Sequence, residues 1–227
     1  DTFFSQYSSK SKTPCRQALA MRRLIMLLAI LSATNTVWAA DAELAKHITD
    51  PAGWRGGQIS LPPSFARDMQ FKGIEEARFS PGMFQEKSNS FFSYFFVFKI
   101  DPGSELTQKN IERELLTYYQ GLSRTIFNSR KQNIDPSGFT CKLTKAIPVD
   151  SQKIYPAGLT EYAATVEWTE PFVTQKPQTL NLIIQVWTDK TTRHGYLFVC
   201  VSPQEFKANI WQSMKNIRDT FYRNLQK

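Results

Sequence analysis

The sequence predicts an α+β fold, a mainly antiparallel sheet packed by at least two amphipathic helices, on three observations. Several short runs alternate apolar and polar residues between turn-forming clusters, as strands with one buried face do. Ile111, Leu115, Tyr118, Leu122 and Ile126 recur at helical spacing, and so do Phe206, Ile210, Met214 (or Ser213), Ile217, Phe221 and Leu225. The order of these signals is a strand pair, a helix, further strands and a last helix, which suits a sheet covered by helices better than alternating parallel units.

Taken in order, Asp41 to Met69 is polar and turn-rich, interrupted at Asp50-Pro51, Gly53, Gly56-Gly57 and Pro62-Pro63. It reads as an irregular leader over 40–70, with a short edge strand at Gln58 to Leu61, ahead of a single domain over 71–227. Ile74 to Phe79 and Phe91 to Ile100 form a strand pair around Ser80-Pro81-Gly82. The second run is apolar on both faces, with Phe91, Phe95 and Val97 on one and Phe92, Tyr94, Phe96, Phe98 and Ile100 on the other. A strand of that kind belongs in the centre of a sheet. Asp101-Pro102-Gly103 ends it, and a helix follows from Thr107, a fair N-cap, to about Asn128.

After the turn Asp135-Pro136-Ser137-Gly138, strands are expected at Phe139 to Ala146, Tyr162 to Thr169, Leu180 to Thr188 and Tyr196 to Val201. Glu170 to Thr179, with Pro171 and Pro177, reads as a long hairpin loop. Ser202, Pro203 and Glu205 supply an N-cap, a first-turn proline and a capping box, so the last helix is expected to start there.

The address of the protein is written near its beginning. From Met21, Arg22-Arg23 is followed by the apolar run Leu24 to Leu31 and by the small-x-small triplet Val37-Trp38-Ala39, the anatomy of an export signal over 21–39. The run is well short of the about 20 residues that cross a bilayer. Cleavage after Ala39 or after Ala42 fits equally, because Ala40-Asp41-Ala42 is a second such triplet. Residues 1–20 hold no Met and no apolar periodicity and read as upstream sequence translated in error.

Removal of the signal changes the charge. Of 28 Lys and Arg and 20 Asp and Glu, five basic residues (Lys10, Lys12, Arg16, Arg22, Arg23) and Asp1 precede residue 40, leaving 23 against 19. So small an excess, in an exported chain, argues against nucleic acid as a partner.

Chemical motifs are sparse. His47 and His194 are the two histidines, with no zinc-ligand spacing, and no nucleophile elbow, phosphate loop, dinucleotide fingerprint or EF-hand loop occurs. No cofactor is expected. Glu75-Glu76 and Glu167 with Glu170 are the carboxylates on or beside strands. Neighbours on a strand face opposite ways, so Glu75 and Glu76 cannot act as an acid–base pair, while Glu76 and Arg78 share a face and pair as charges. Tyr94, Trp168, Glu170, Phe172 and Trp187 are the candidate ligand-binding residues, because Tyr and Trp join an apolar body to a polar edge, as pockets favour. Core packing is the plainer role for each ring.

Cys141 and Cys200 sit in apolar strand-like runs and read as small core residues, with a disulfide as the alternative in an oxidising compartment. Their separation in sequence says nothing of their separation in space. On the last helix, Lys207, Lys215, Arg218, Arg223 and Lys227 against Glu205 and Asp219 give the outer surface an excess of three positive charges. That surface is a candidate for weak contact with anionic lipid.

Ile74 to Phe84 (IEEARFSPGMF), Phe91 to Phe98 (FFSYFFVF) and Glu170 to Leu182 (EPFVTQKPQTLNL) resemble segments of a family of uncharacterised exported bacterial proteins. That likeness runs over most of the mature chain and brings no catalytic residues with it. The element order is also similar to the PsbP/Mog1-like α/β/α sandwich, a likeness of fold alone. The expected function is that of a soluble periplasmic or secreted protein that binds a small molecule or a protein partner without catalysis. The alternatives are a metal-independent hydrolase using carboxylates and a peripheral membrane-surface protein.

Overall fold

Seven strands of the described residues form one sheet: β1 (Arg55–Leu61), β2 (Gly73–Phe79), β3 (Tyr94–Ile100), β4 (Thr140–Lys145), β5 (Thr160–Thr169), β6 (Pro177–Thr188) and β7 (Gly195–Ser202). The structure is a computed structural model that describes residues 42–49, 51–146 and 155–226. The upstream segment 1–20 and the expected export signal 21–39 lie outside the described residues. Among the described residues three α-helices accompany the sheet: α1 (Ala42–Ala45), α2 (Gln108–Ser129) and α3 (Asn209–Leu225).

The strand order is β1-β2-β3-β7-β6-β5-β4, and every neighbouring pair is antiparallel. The chain meanders through β1, β2 and β3, crosses through α2 to the far edge at β4, then meanders back until β7 closes against β3. This is the α+β architecture that the periodicities predict. The β3 strand lies inside the sheet, with Phe96 opposite Val199 and Ala77, because its apolar side chains on both faces can be buried only there.

Each face of the sheet carries its own core. Tyr94, Phe96, Phe98 and Ile100 of β3 pack with Leu182 and Ile184 of β6, Leu197 and Val199 of β7, and Ile111, Leu115 and Tyr119 of α2. On the other face Phe95, Val97, Phe198 and Cys200 pack with Trp211, Met214, Ile217 and Phe221 of α3. Phe95, Phe96 and Phe98 are fully buried, and each such ring contributes about 2–3 kcal/mol of transfer free energy. Thr107 caps α2 as the sequence suggests, accepting from the Asn110 amide at 3.2 Å.

The leader is less irregular than its composition implies. It supplies the whole of β1, and its Phe65, Ala66 and Met69 enter the α2-side core with Phe71 just beyond it. Gly121 admits this segment against α2, since a Cβ there would stand 2.2 Å from the Phe65 carbonyl oxygen. Glu114 of α2 then fastens it, accepting from the Gln70 and Phe71 amides at 2.6 and 3.0 Å. Further upstream, Leu44 and Ile48 join the α3-side core, and Asn224 donates to the His47 carbonyl at 3.1 Å.

Three local expectations are corrected. Phe91 packs on the same side as Phe92, because Phe92 turns the backbone with φ of 46° just before β3 begins. The loop between β5 and β6 spans only 170–176, with β6 starting at Pro177. The last helix starts at Asn209, not beside Ser202: Ser202 is the final residue of β7, paired with Asn181, and its buried hydroxyl bonds Ser93 Oγ at 2.7 Å. The two cysteines are core residues, the first of their two readings, Cys141 packed against the α2-side core and Cys200 within the α3-side core. Their strands stand three positions apart in the sheet, about 14 Å at the usual strand spacing. Both thiols are free, since a disulfide cannot bridge that distance.

Candidate functional site

The β7–α3 connection builds a groove on the α3 side of the sheet. Beyond Ser202 the chain leaves β7, and Ser202 Oγ accepts from the Gln204 amide at 3.1 Å. The Gln204 carbonyl in turn accepts from Trp211 Nε1 at 3.1 Å and Asn181 Nδ2 at 3.2 Å. These bonds hold the 203–208 loop against both α3 and β6. They also lay Phe206, 51% exposed, over Trp211 with ring centroids 4.8 Å apart.

Between this loop, α3 and the sheet lies a cavity of about 460 Å³, lined by Ile183 and Cys200 from the sheet, by Phe206 and Trp211, and by the cationic Lys207, Lys215 and Arg218. That volume falls within the range of small-molecule sites. The lining combines an apolar floor, an aromatic wall and positive charge, a set suited to recognition. Burial pushes the Cys200 thiol up to about 12, outweighing the pull of nearby Arg218 in the other direction, so it stays protonated.

Arg218 is itself a structural anchor. Its guanidinium donates to Asp219 Oδ1 through Nε at 3.0 Å and Nη2 at 2.9 Å, and to the Tyr155 hydroxyl at 3.1 Å. Glu161 Oε2 lies 3.9 Å from Nη1 and accepts from Gln185 Nε2 at 2.5 Å. Tyr222 closes the network by donating to Gln185 Oε1 at 2.5 Å. One member of the basic outer surface expected of the last helix is therefore corrected: Arg218 is 6% exposed and paired, while Lys207 stays on the surface beside Glu205 at 2.7 Å. Lys227 lies outside the described residues.

Of the sequence-predicted ligand residues, three converge, on the face opposite this groove. Tyr94, Trp168 and Phe172 surround Phe92, at centroid distances of 5.8, 5.3 and 5.9 Å. Tyr94 and Trp168 are buried with their polar atoms satisfied, the first by Tyr119 Oη at 2.7 Å and the second by Gln178 Oε1 at 3.1 Å. Glu170 is fully buried and serves its own loop. Its carboxylate accepts from the amides of Phe172, Val173 and Thr174 at 2.5, 3.0 and 2.5 Å, and from Thr174 Oγ1 at 2.9 Å. Trp187 lies on the other face, stacked on Tyr196 at 5.0 Å and edge-on to Tyr222 at 5.4 Å. All four rings pack as core, and Glu170 as a loop staple.

The carboxylates divide as strand alternation requires. Glu76 pairs with Arg78 on one face, while Glu75 points into the α2-side core, where Tyr118 donates to its Oε1 at 3.0 Å and Oε2 has no partner. Burial raises its pKa to about 8; the Tyr118 hydrogen bond pulls the other way, and the neighbouring Glu76 charge adds to the rise. Glu167 is exposed and accepts from Thr140 at 3.3 Å. Glu75 thus has an acid's tuning without a second carboxylate hydrogen-bonded to it and without solvent access. Among the described residues no group of three His, Cys, Asp or Glu side chains is placed to hold a metal ion.

Sequence reading missed the groove because it placed Phe206 in the buried stripe of a helix beginning at Ser202. The available signal was Trp211, a large ring off that stripe and flanked by Lys207 and Lys215.

Fold and groove together define an α+β protein with a seven-stranded antiparallel sheet among its described residues, a long helix on each face and a recess under one of them. No family model and no curated protein matches the chain. No helix among the described residues is long and apolar enough to cross a membrane.

Proposed function

We propose that this chain is an exported bacterial protein, soluble in the periplasm or secreted, that binds a ligand or partner and performs no catalysis on it. The observation that carries the reading is the groove between α3 and the sheet, about 460 Å³ in volume, with aromatic and cationic walls on a rigid scaffold. The positive start at Arg22-Arg23, the apolar run and the small-x-small triplets support export. The likeness of IEEARFSPGMF, FFSYFFVF and EPFVTQKPQTLNL to exported bacterial proteins agrees with that address.

The hydrolase alternative is less well supported. Glu75 is enclosed, Glu76 is held by Arg78 on the other face and Glu170 is bound to its own loop, so none is left to pair as acid and base in a cleft. The membrane-surface alternative loses Arg218 to a buried pair with Asp219.

The test is to express the chain from Met21, isolate it from the periplasm, and compare its native mass with its denatured mass. An excess of a few hundred daltons, or a stable complex with another protein, is the expected result. Recovery only from the cytoplasm would overturn the export reading. Turnover of an ester, glycoside or peptide that is abolished by Glu75→Gln would overturn the non-catalytic one.

A further inference from the structure

Lys215 is the cation of the groove that has no counter-charge among the described residues. It is partly buried, lines the cavity, and makes no ion pair or hydrogen bond among the described residues. The acids nearest in the network are already engaged: Asp219 and Glu161 with Arg218, and Glu205 with Lys207. With no counter-charge among the described residues, this ammonium is open to an anion that enters the groove.

Beside this charge the wall of the groove is apolar, with Phe206 its exposed member. Phe206 and Val173 are the exposed large hydrophobic residues among those described, and Phe206 is the one at the groove, tilted over Trp211. Trp211 Nε1 is already bonded to the Gln204 carbonyl, so its ring presents apolar surface to the cavity, continued by Ile183 and Cys200. Planar rings stack well on such a wall. A single free ammonium next to an aromatic wall matches a ligand with one negative charge on a flat body.

Resting on the binding role proposed above, we infer that the groove takes an aromatic carboxylate, with Lys215 holding the carboxylate and Phe206 and Trp211 covering the ring. Lys207 stays at the rim with Glu205, and Arg218 shapes the floor while bonded to Asp219 and Tyr155.

The experiment titrates the mature chain calorimetrically with 2-naphthoate and with its neutral counterpart 2-naphthalenemethanol. Saturable one-to-one binding of naphthoate is expected, about tenfold tighter than the neutral compound, as one charge-assisted hydrogen bond would give. The preference should shrink as salt is raised. Lys215→Gln should bring naphthoate down to the neutral affinity and leave the neutral compound unchanged. Phe206→Ala should weaken both. Equal affinities in the wild-type protein, or no effect of Lys215→Gln on naphthoate, overturn the assignment of the carboxylate. No saturable binding of either compound overturns the ligand class. If the periplasmic protein still carries a retained mass in that case, the binding role stands without this inference, and if it does not, both fail.

Discussion

Raising the pH from 4.5 to 9 should cost this protein a large part of its stability through one residue, Glu75. Its carboxyl is 2% exposed, its Oε2 has no partner, and its pKa is raised from 4.5 to about 8. Between those values the folded chain keeps a proton that the unfolded chain has released, so stability falls as pH rises and levels off above about 8. The loss approaches about 1.4 kcal/mol for each pH step in that window, or about 5 kcal/mol in all, as an upper figure. That is comparable to the whole stability of many domains.

Among the described residues no cation relieves the ionised form of Glu75. Tyr118 and Tyr94 both have pKa values raised above the usual tyrosine value, chiefly by burial, and remain neutral hydroxyls; Glu76 is a carboxylate held by Arg78 on the opposite face. Asp135 and Asp189, lowered chiefly by hydrogen bonds from the Ser137 and Thr192 amides, act at the acid end instead. Their stabilising effect is present above their ordinary value and lost as pH falls through the lowered one. Glu75→Gln keeps the shape and an acceptor for Tyr118 but cannot ionise. Urea unfolding followed by tryptophan fluorescence, at pH values from 5 to 9, should show the wild-type protein losing ground against Glu75→Gln until about pH 8, with a constant difference beyond. Parallel curves for the two proteins across that range would refute the buried-acid argument.

Two further outcomes are expected. Gly121→Ala places a Cβ 2.2 Å from the Phe65 carbonyl oxygen, and the strain of overpacking should outweigh the helical preference for alanine, lowering stability by about 2 kcal/mol in a urea titration. Thiol alkylation of the unfolded, unreduced mature chain should add two labels, at Cys141 and Cys200, because their strands stand on well-separated lines of the sheet with side chains on opposite faces; a mass that shows no label without reductant would contradict the sheet order.

Much of the fold was legible because the patterns involved are local. The stripe from Ile111 to Ile126, the Thr107 cap and the both-sided apolar run of β3 need only the spacing of neighbouring residues, and all three are observed. The opposite orientation of Glu75 and Glu76 follows from strand alternation alone and is also observed. The candidate site was not legible in this way. Tyr94, Trp168 and Phe172 do come together, yet as packing around Phe92. The groove depends on a cap signal that was overridden.

That override shows where local information ends. Ser202, Pro203 and Glu205 are good helix-start residues, but Ser202 Oγ meets Ser93 Oγ in the core and its backbone continues the pairing with Asn181. Partners more than a hundred positions away in sequence, or across a neighbouring strand, satisfy groups that a cap would otherwise have satisfied. The helix therefore starts seven residues later, at Asn209, and frees Phe206 for the groove wall. By itself the sequence determined the class of elements, their order and which side of each is apolar, because these rest on periods of two and 3.6 residues. Only the tertiary structure decided that the two cysteines lie on opposite faces, that Glu170 closes a loop, that Glu75 is sealed from water and that Lys215 has no counter-charge among the described residues. Each of these depends on which distant strand or helix covers the residue, and burial of that kind is a property of the assembled sheet.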